Sequence, residues 1–96
     1  MEFIIKSRSF MGNYISLNWL EPKISKEFDI KKGQIFVRED WWKNPNKRLR
    51  IKVHETTEIW LRKKWNLPYQ QAHHLATIAE HEVLKDRGLK LDSGGN

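Results

Sequence analysis

NPNKRLRIKVHETTEIWLRKKWNLP, residues 44–68, is the stretch that decides the fold. Asn44-Pro45 reads as a helix start: a capping amide, then a proline at the first helical position, where its fixed φ fits and its missing N–H costs nothing. From there to Trp65 no glycine or proline interrupts the run, and Asn66-Leu67-Pro68 breaks it. At about 100° of rotation per residue, Leu49, Val53 and Trp60 fall on one narrow stripe, and Ile51, Leu61 and Trp65 on another. His54 and Glu58 lie among these apolar positions and project side by side, one turn apart. A lone carboxylate is costly to bury. Glu58 therefore calls for a cation, a proton or a metal, unless it reaches water at the helix edge or pairs with a Lys or Arg.

Moving outward toward the C-terminus, Pro68 can open a second helix that runs to about Arg87 and stops at Gly88. Ala72, Leu75, Ala76, Ala79 and Val83 form its apolar stripe, and the small residues let a neighbouring helix come close. His73 and Glu80 sit one above the other at the rim of that stripe, while His74 and His81 fall on the opposite, solvated side. With the two helices antiparallel about the turn, Glu58 and His73 come to similar heights, and so do His54 and Glu80. The four side chains can then face one another. Residues 92–96, DSGGN, read as a frayed tail after a single domain spanning residues 1–91.

Toward the N-terminus the period shortens. Phe3-Ile4-Ile5 opens one strand, and Tyr14, Ile15 and Leu17 lie in a second, with Gly12-Asn13 as the turn between them. Leu20 to Phe28 can hold a short helix with Pro22 near its start, Lys32-Gly33 is a turn, and Gln34-Ile35-Phe36-Val37-Arg38 is the clearest strand. The expected architecture is α+β: a small, mostly antiparallel sheet packed on two long antiparallel helices.

Composition bounds what such a domain can do. The chain has 96 residues, 18 Lys+Arg against 12 Asp+Glu, and a net charge of +6. It has no cysteine, which excludes disulfide frameworks, thiolate nucleophiles and cysteine zinc fingers. No apolar run reaches the ~18 residues of a membrane span, and the opening MEFIIKSRS lacks the pattern of a signal peptide. A cytoplasmic, intracellular protein with no membrane partner is expected. The abundant Lys, Glu, Ile and Trp suit a thermophile.

The facing histidines and acids permit metal chemistry. A divalent ion takes imidazole and carboxylate ligands from rigid elements and leaves a position for water. His54 and Glu58 supply two ligands, and His73 or Glu80 a third; whichever of these does not ligate can orient a ligand from behind. Glu55, on another side of the same turn, can act as general base. The run from Gly33 to Glu58, with GQIFVRED at 33–40 and then a helix reading NKRLRIKVHETTEIW at 46–60, resembles the core of the zincin metallopeptidases. The downstream AHHLATIAE, residues 72–80, resembles the helix that follows. The resemblance covers about half the chain. It implies zinc or another divalent metal, with His54 as first ligand, Glu58 as second, Glu55 as catalytic base, and a third ligand from the later helix. It also implies an extended peptide substrate lying along Gln34–Arg38 by strand addition. Where the family has a second His this chain has Glu58, giving HExxE; the extra carboxylate lowers the Lewis acidity of a bound metal. The implied function is metal-dependent hydrolysis, or metal binding without catalysis. The same four side chains could instead form a metal-free hydrogen-bonded network.

The alternative is a small basic nucleic-acid-binding protein. Lys47, Arg48, Arg50 and Lys52 form one basic cluster beside Trp41-Trp42, and Arg62, Lys63 and Lys64 form another. Phosphate contacts and base stacking would use such groups. An exposed strand edge at Gln34–Arg38 would also allow a homo-oligomer.

Overall fold

A computed structural model describes residues 1–86. The stop at Gly88 and the tail at 92–96 lie outside them. The order is β1 (Glu2–Lys6), α1 (Arg8–Met11), β2 (Ser16–Asn18), α2 (Pro22–Phe28), β3 (Gln34–Arg38), α3 (Glu39–Lys43), α4 (Pro45–Lys64) and α5 (Tyr69–Asp86). The class is α+β. The chain divides into two compact units, residues 1–44 and the residues from Pro45 onward.

In the first unit β3 is the middle strand of a three-stranded sheet ordered β1-β3-β2. It runs parallel to β1, with Phe3 opposite Ile35 and Ile5 opposite Val37, and antiparallel to β2, with Leu17 opposite Phe36. The sheet is thus mixed rather than mostly antiparallel. The expected turn at Gly12-Asn13 does not join a hairpin, because β1 and β2 both pair with β3 and not with each other. Between them stands α1. Its Ser7 cap accepts a hydrogen bond from the Phe10 N–H at 3.1 Å, and Gly12 closes it at φ +62°, a conformation that favours glycine.

Ile35, Phe36 and Val37 point alternately to the two faces of the sheet and are all buried, so β3 is covered on both faces, the setting in which a strand reads as a continuous apolar run. Phe36 joins Met11, Leu17 and Ile30 in the core, with Ile4, Trp19, Ile24 and Phe28 packed around them. The flanking strands also remove the open edge expected at Gln34–Arg38. Its backbone groups already serve the sheet, so neither a peptide nor a second copy can add there. Arg38 at the end of β3 is an internal brace. It donates to both Asp40 carboxylate oxygens, at 2.7 and 3.1 Å, and to the Gly12 carbonyl at 2.9 Å. These bonds hold the Asp40 carboxyl below its usual range. Trp41 of α3 is buried and Trp42 stacks at 5.4 Å on Phe3, so the pair serves the fold of this unit.

The second unit is a helical hairpin. Asn66, at φ +53°, turns the chain after α4, and the Leu67 N–H donates to the Leu61 carbonyl at 3.3 Å. Pro68 precedes α5, and its carbonyl accepts the Ala72 N–H at 3.0 Å. The inward positions of α4 are Arg50, Ile51, Glu55, Glu58 and Ile59; those of α5 are Ala72, Ala76, Glu80 and Leu84, every fourth residue. Trp60, Trp65 and Leu75, expected on inward stripes, are instead exposed, and His81, expected in solvent, is half-buried.

Candidate metal centre

The inward stripe of α4 carries charge at a helical spacing. Arg50, His54 and Glu58 succeed one another at four-residue intervals and so stack along one face. Ala72 and Ala76, both fully buried, let α5 lie close, and Glu80 one turn further on meets that stripe. Arg50 Nε donates to Glu80 Oε2 at 2.9 Å. Glu80 Oε1 lies 2.9 Å from His54 Nδ1 and accepts its proton. That bond aims the other ring nitrogen, Nε2, away from Glu80 and toward Glu58 and His73.

There three donor atoms converge. His54 Nε2 stands 3.1 Å from Glu58 Oε2 and 3.1 Å from His73 Nδ1, and His73 Nδ1 stands 3.2 Å from the same Glu58 oxygen. The triangle is nearly equilateral. These three atoms are close enough together that one divalent ion could take all of them as ligands, two imidazole nitrogens and one carboxylate oxygen. Glu58 is buried, with 3% of its side chain exposed, whereas the His73 side chain is 48% exposed, so the group opens to water on the His73 side. The two imidazoles meet edge to face at 4.7 Å.

The electrostatics pull in one direction. Burial opposes the charged form of His54, but hydrogen bonds to Glu58 and Glu80, with the charge of Glu55 alongside, hold its pKa up at about 10. Burial alone would raise Glu58, yet its bonds to His54 and His73 keep it below the usual carboxylate range. Glu80 is lowered against its burial by His54 and Arg50. Among the described residues, the buried charges on the hairpin are Glu55, Glu58 and Glu80 against Arg50. Two negative charges are left over on that set, which either a divalent ion or two imidazolium rings would match.

Of the residues expected at the site, His54, Glu58 and His73 come together. Glu80 stands behind His54 instead of joining the three, in the orienting role that a non-ligating partner takes. Glu55 is buried beside them and acts on His54 through its charge. Two neighbours were not anticipated. Arg50 belongs to this network and not to the basic cluster with Lys47, Arg48 and Lys52; its spacing of four from His54 was the available signal. Tyr69 stacks on His73 at 5.4 Å and brings its hydroxyl to 3.5 Å from Nδ1, one turn before it on α5. No protein family's sequence profile matches this chain, and no curated protein or solved structure matches it either. The likeness to zincins therefore rests on the quoted residues alone.

Proposed function

We propose that the helical hairpin binds one divalent metal ion through His54 Nε2, Glu58 Oε2 and His73 Nδ1, and that the bound protein is a metal-dependent hydrolase. The observation that carries this reading is the converging triangle of two imidazole nitrogens and one carboxylate oxygen, each within 3.2 Å of the others. Glu80 supports it from behind: by accepting the Nδ1 proton it fixes the ring, so that a metal would displace only the Nε2 proton now shared with Glu58, and Arg50 holds Glu80 in place. Two imidazoles and a carboxylate suit zinc, and equally suit the other divalent ions that take this ligand set.

Such an ion supplies a polarised water and an electrophile, the requirements of hydrolysis. The exposed His73 side leaves room for water and substrate. Glu55 is the base this reading assigns, and Tyr69 lines the opening. Because β3 is flanked on both sides, the substrate is not held by strand addition at Gln34–Arg38.

The test is metal content by elemental analysis, with zinc titrated calorimetrically into the metal-stripped chain. One equivalent should bind. His54→Ala, Glu58→Ala and His73→Ala should each abolish binding, while His74→Ala leaves it intact. Glu55→Gln should retain the metal and lose hydrolysis. A stripped chain that takes up no zinc, with a melting temperature indifferent to zinc and to EDTA, would leave these residues as a metal-free ionic network.

A further inference from the structure

The turn of the hairpin carries a second feature, of which the metal site uses Tyr69 alone. Trp60 is 50% exposed, Trp65 58% and Tyr69 47%, although each is large enough to anchor a core. Trp60 and Trp65 meet edge to face at 6.1 Å, so their ring faces point in different directions and cannot cover each other. Three consecutive cations, Arg62, Lys63 and Lys64, lie between the two tryptophans in sequence. The Lys64 ammonium sits 5.8 Å over the Trp60 ring and the Arg62 guanidinium 5.7 Å over Tyr69. Residues 59–79 contain no Asp or Glu, so the sequence from Trp60 through Tyr69 carries positive charge and no negative charge. Exposed Gln70 and Gln71 add amides next to Tyr69.

Flat aromatic faces interleaved with cations match one polymer chemically: a single strand of nucleic acid, whose unpaired bases stack while its phosphates meet the ammonium groups. A duplex hides its base faces and fits poorly. A lipid surface would favour exposed aliphatic side chains beside the rings, whereas in this segment Leu61 and Leu67 are half-buried and Lys63, Lys64, Asn66, Gln70 and Gln71 are exposed. We infer that the hairpin turn is a binding platform for single-stranded nucleic acid, with Trp60 and Trp65 as stacking residues and Arg62, Lys63 and Lys64 as phosphate contacts. The surface differs from the one the sequence first suggests, since Trp41 and Arg50 of the other cluster are buried.

The test uses the full chain, stripped of metal with EDTA so that its outcome is independent of the metal site. A labelled oligothymidylate about 12 nucleotides long, within the span such platforms cover, is followed by anisotropy and by tryptophan quenching. Binding at ~50 mM salt should weaken roughly 20-fold by ~200 mM, the change expected for three phosphate contacts on a single strand. Trp60→Ala with Trp65→Ala should weaken it by roughly tenfold per stacked ring and remove the quenching. Lys63→Ala with Lys64→Ala should flatten the salt dependence. Circular dichroism checks that these exposed variants remain helical. The inference is overturned by absence of binding at ~50 mM salt, by equal affinity for the matching duplex or for polyglutamate, or by binding to phosphatidylserine vesicles in place of the oligonucleotide.

Discussion

The sheet unit closes over Met11, Leu17, Ile30, Ile35, Phe36, Val37 and Trp41, and among its described residues the buried polar side chain is Asn18, whose Oδ1 accepts the Leu20 N–H. The helical hairpin, of similar length, buries Ile51, Ile59, Ala72, Ala76 and Leu84 together with Arg50, Glu55, Glu58 and Glu80. One unit is held by apolar area, which is indifferent to direction and to pH. The other is held in large part by charges that must meet at set distances. Small domains have little core to give up, so a hairpin that fills inward positions with carboxylates has exchanged apolar packing for something else. Sites that bind or react make that exchange.

The largest expected effect tests the ionic half. Glu80→Ala strands Arg50 in a buried position and releases His54, and should cost the hairpin about 3–5 kcal/mol in urea unfolding followed by helical signal. A loss below ~1 kcal/mol would mean the network is solvated in practice. Next comes the apolar half: Ile35→Ala, at a fully buried position of β3, should cost about 2–4 kcal/mol by leaving a cavity, with no dependence on pH. Zinc at ~100 times its dissociation constant should then stabilise the hairpin by about 2.7 kcal/mol, and His73→Ala should erase that gain.

pH separates the two units more gently. With its folded pKa raised to about 10 from 6.5, His54 contributes stability that is complete below about pH 6.5 and is lost as pH rises toward 10. Glu58 and Glu80, both lowered from 4.5, contribute stability that is present above that value and is lost as pH falls below it. Hairpin stability should therefore fall on both sides of a plateau between about pH 5 and 6.5, measured by urea midpoints across pH. A flat profile would contradict the ionic assignment. The smallest effect belongs to Trp60→Ala, which should change stability by no more than about 0.5 kcal/mol because the ring is on the surface.

Much of this was legible in the sequence where the determinants are local. Pro45 and Asn66-Leu67-Pro68 mark α4, the apolar run at 34–38 marks β3, and Pro22 marks α2. Counting residues from the turn pairs Glu58 with His73 and His54 with Glu80, and those pairs are hydrogen-bonded at 3.2 and 2.9 Å. What escaped depends on distant partners. The parallel alignment of β1 with β3 leaves no trace in either strand, and α1 and α3 are too short to show a period. Hydrophobicity alone places Trp60 on the inward face. The ionic stripe of Arg50, Glu55 and Glu58 chooses it instead, and turns Trp60 to the opposite side of the helix.

The parallel pairing also shapes how the chain is made. A ribosome releases Glu2–Lys6 well before Gln34–Arg38, and until that later segment emerges the first strand has no backbone partner. Nascent β1 must wait through the synthesis of α1, β2 and α2, carrying Phe3 and Ile4, half-buried in the folded protein, unsheltered. The hairpin's contacts, by comparison, need only a nearby turn. Slow translation across residues 7–33 would prolong that vulnerable interval, and the sheet, more than the ionic hairpin, is where newly made chains would be lost to aggregation.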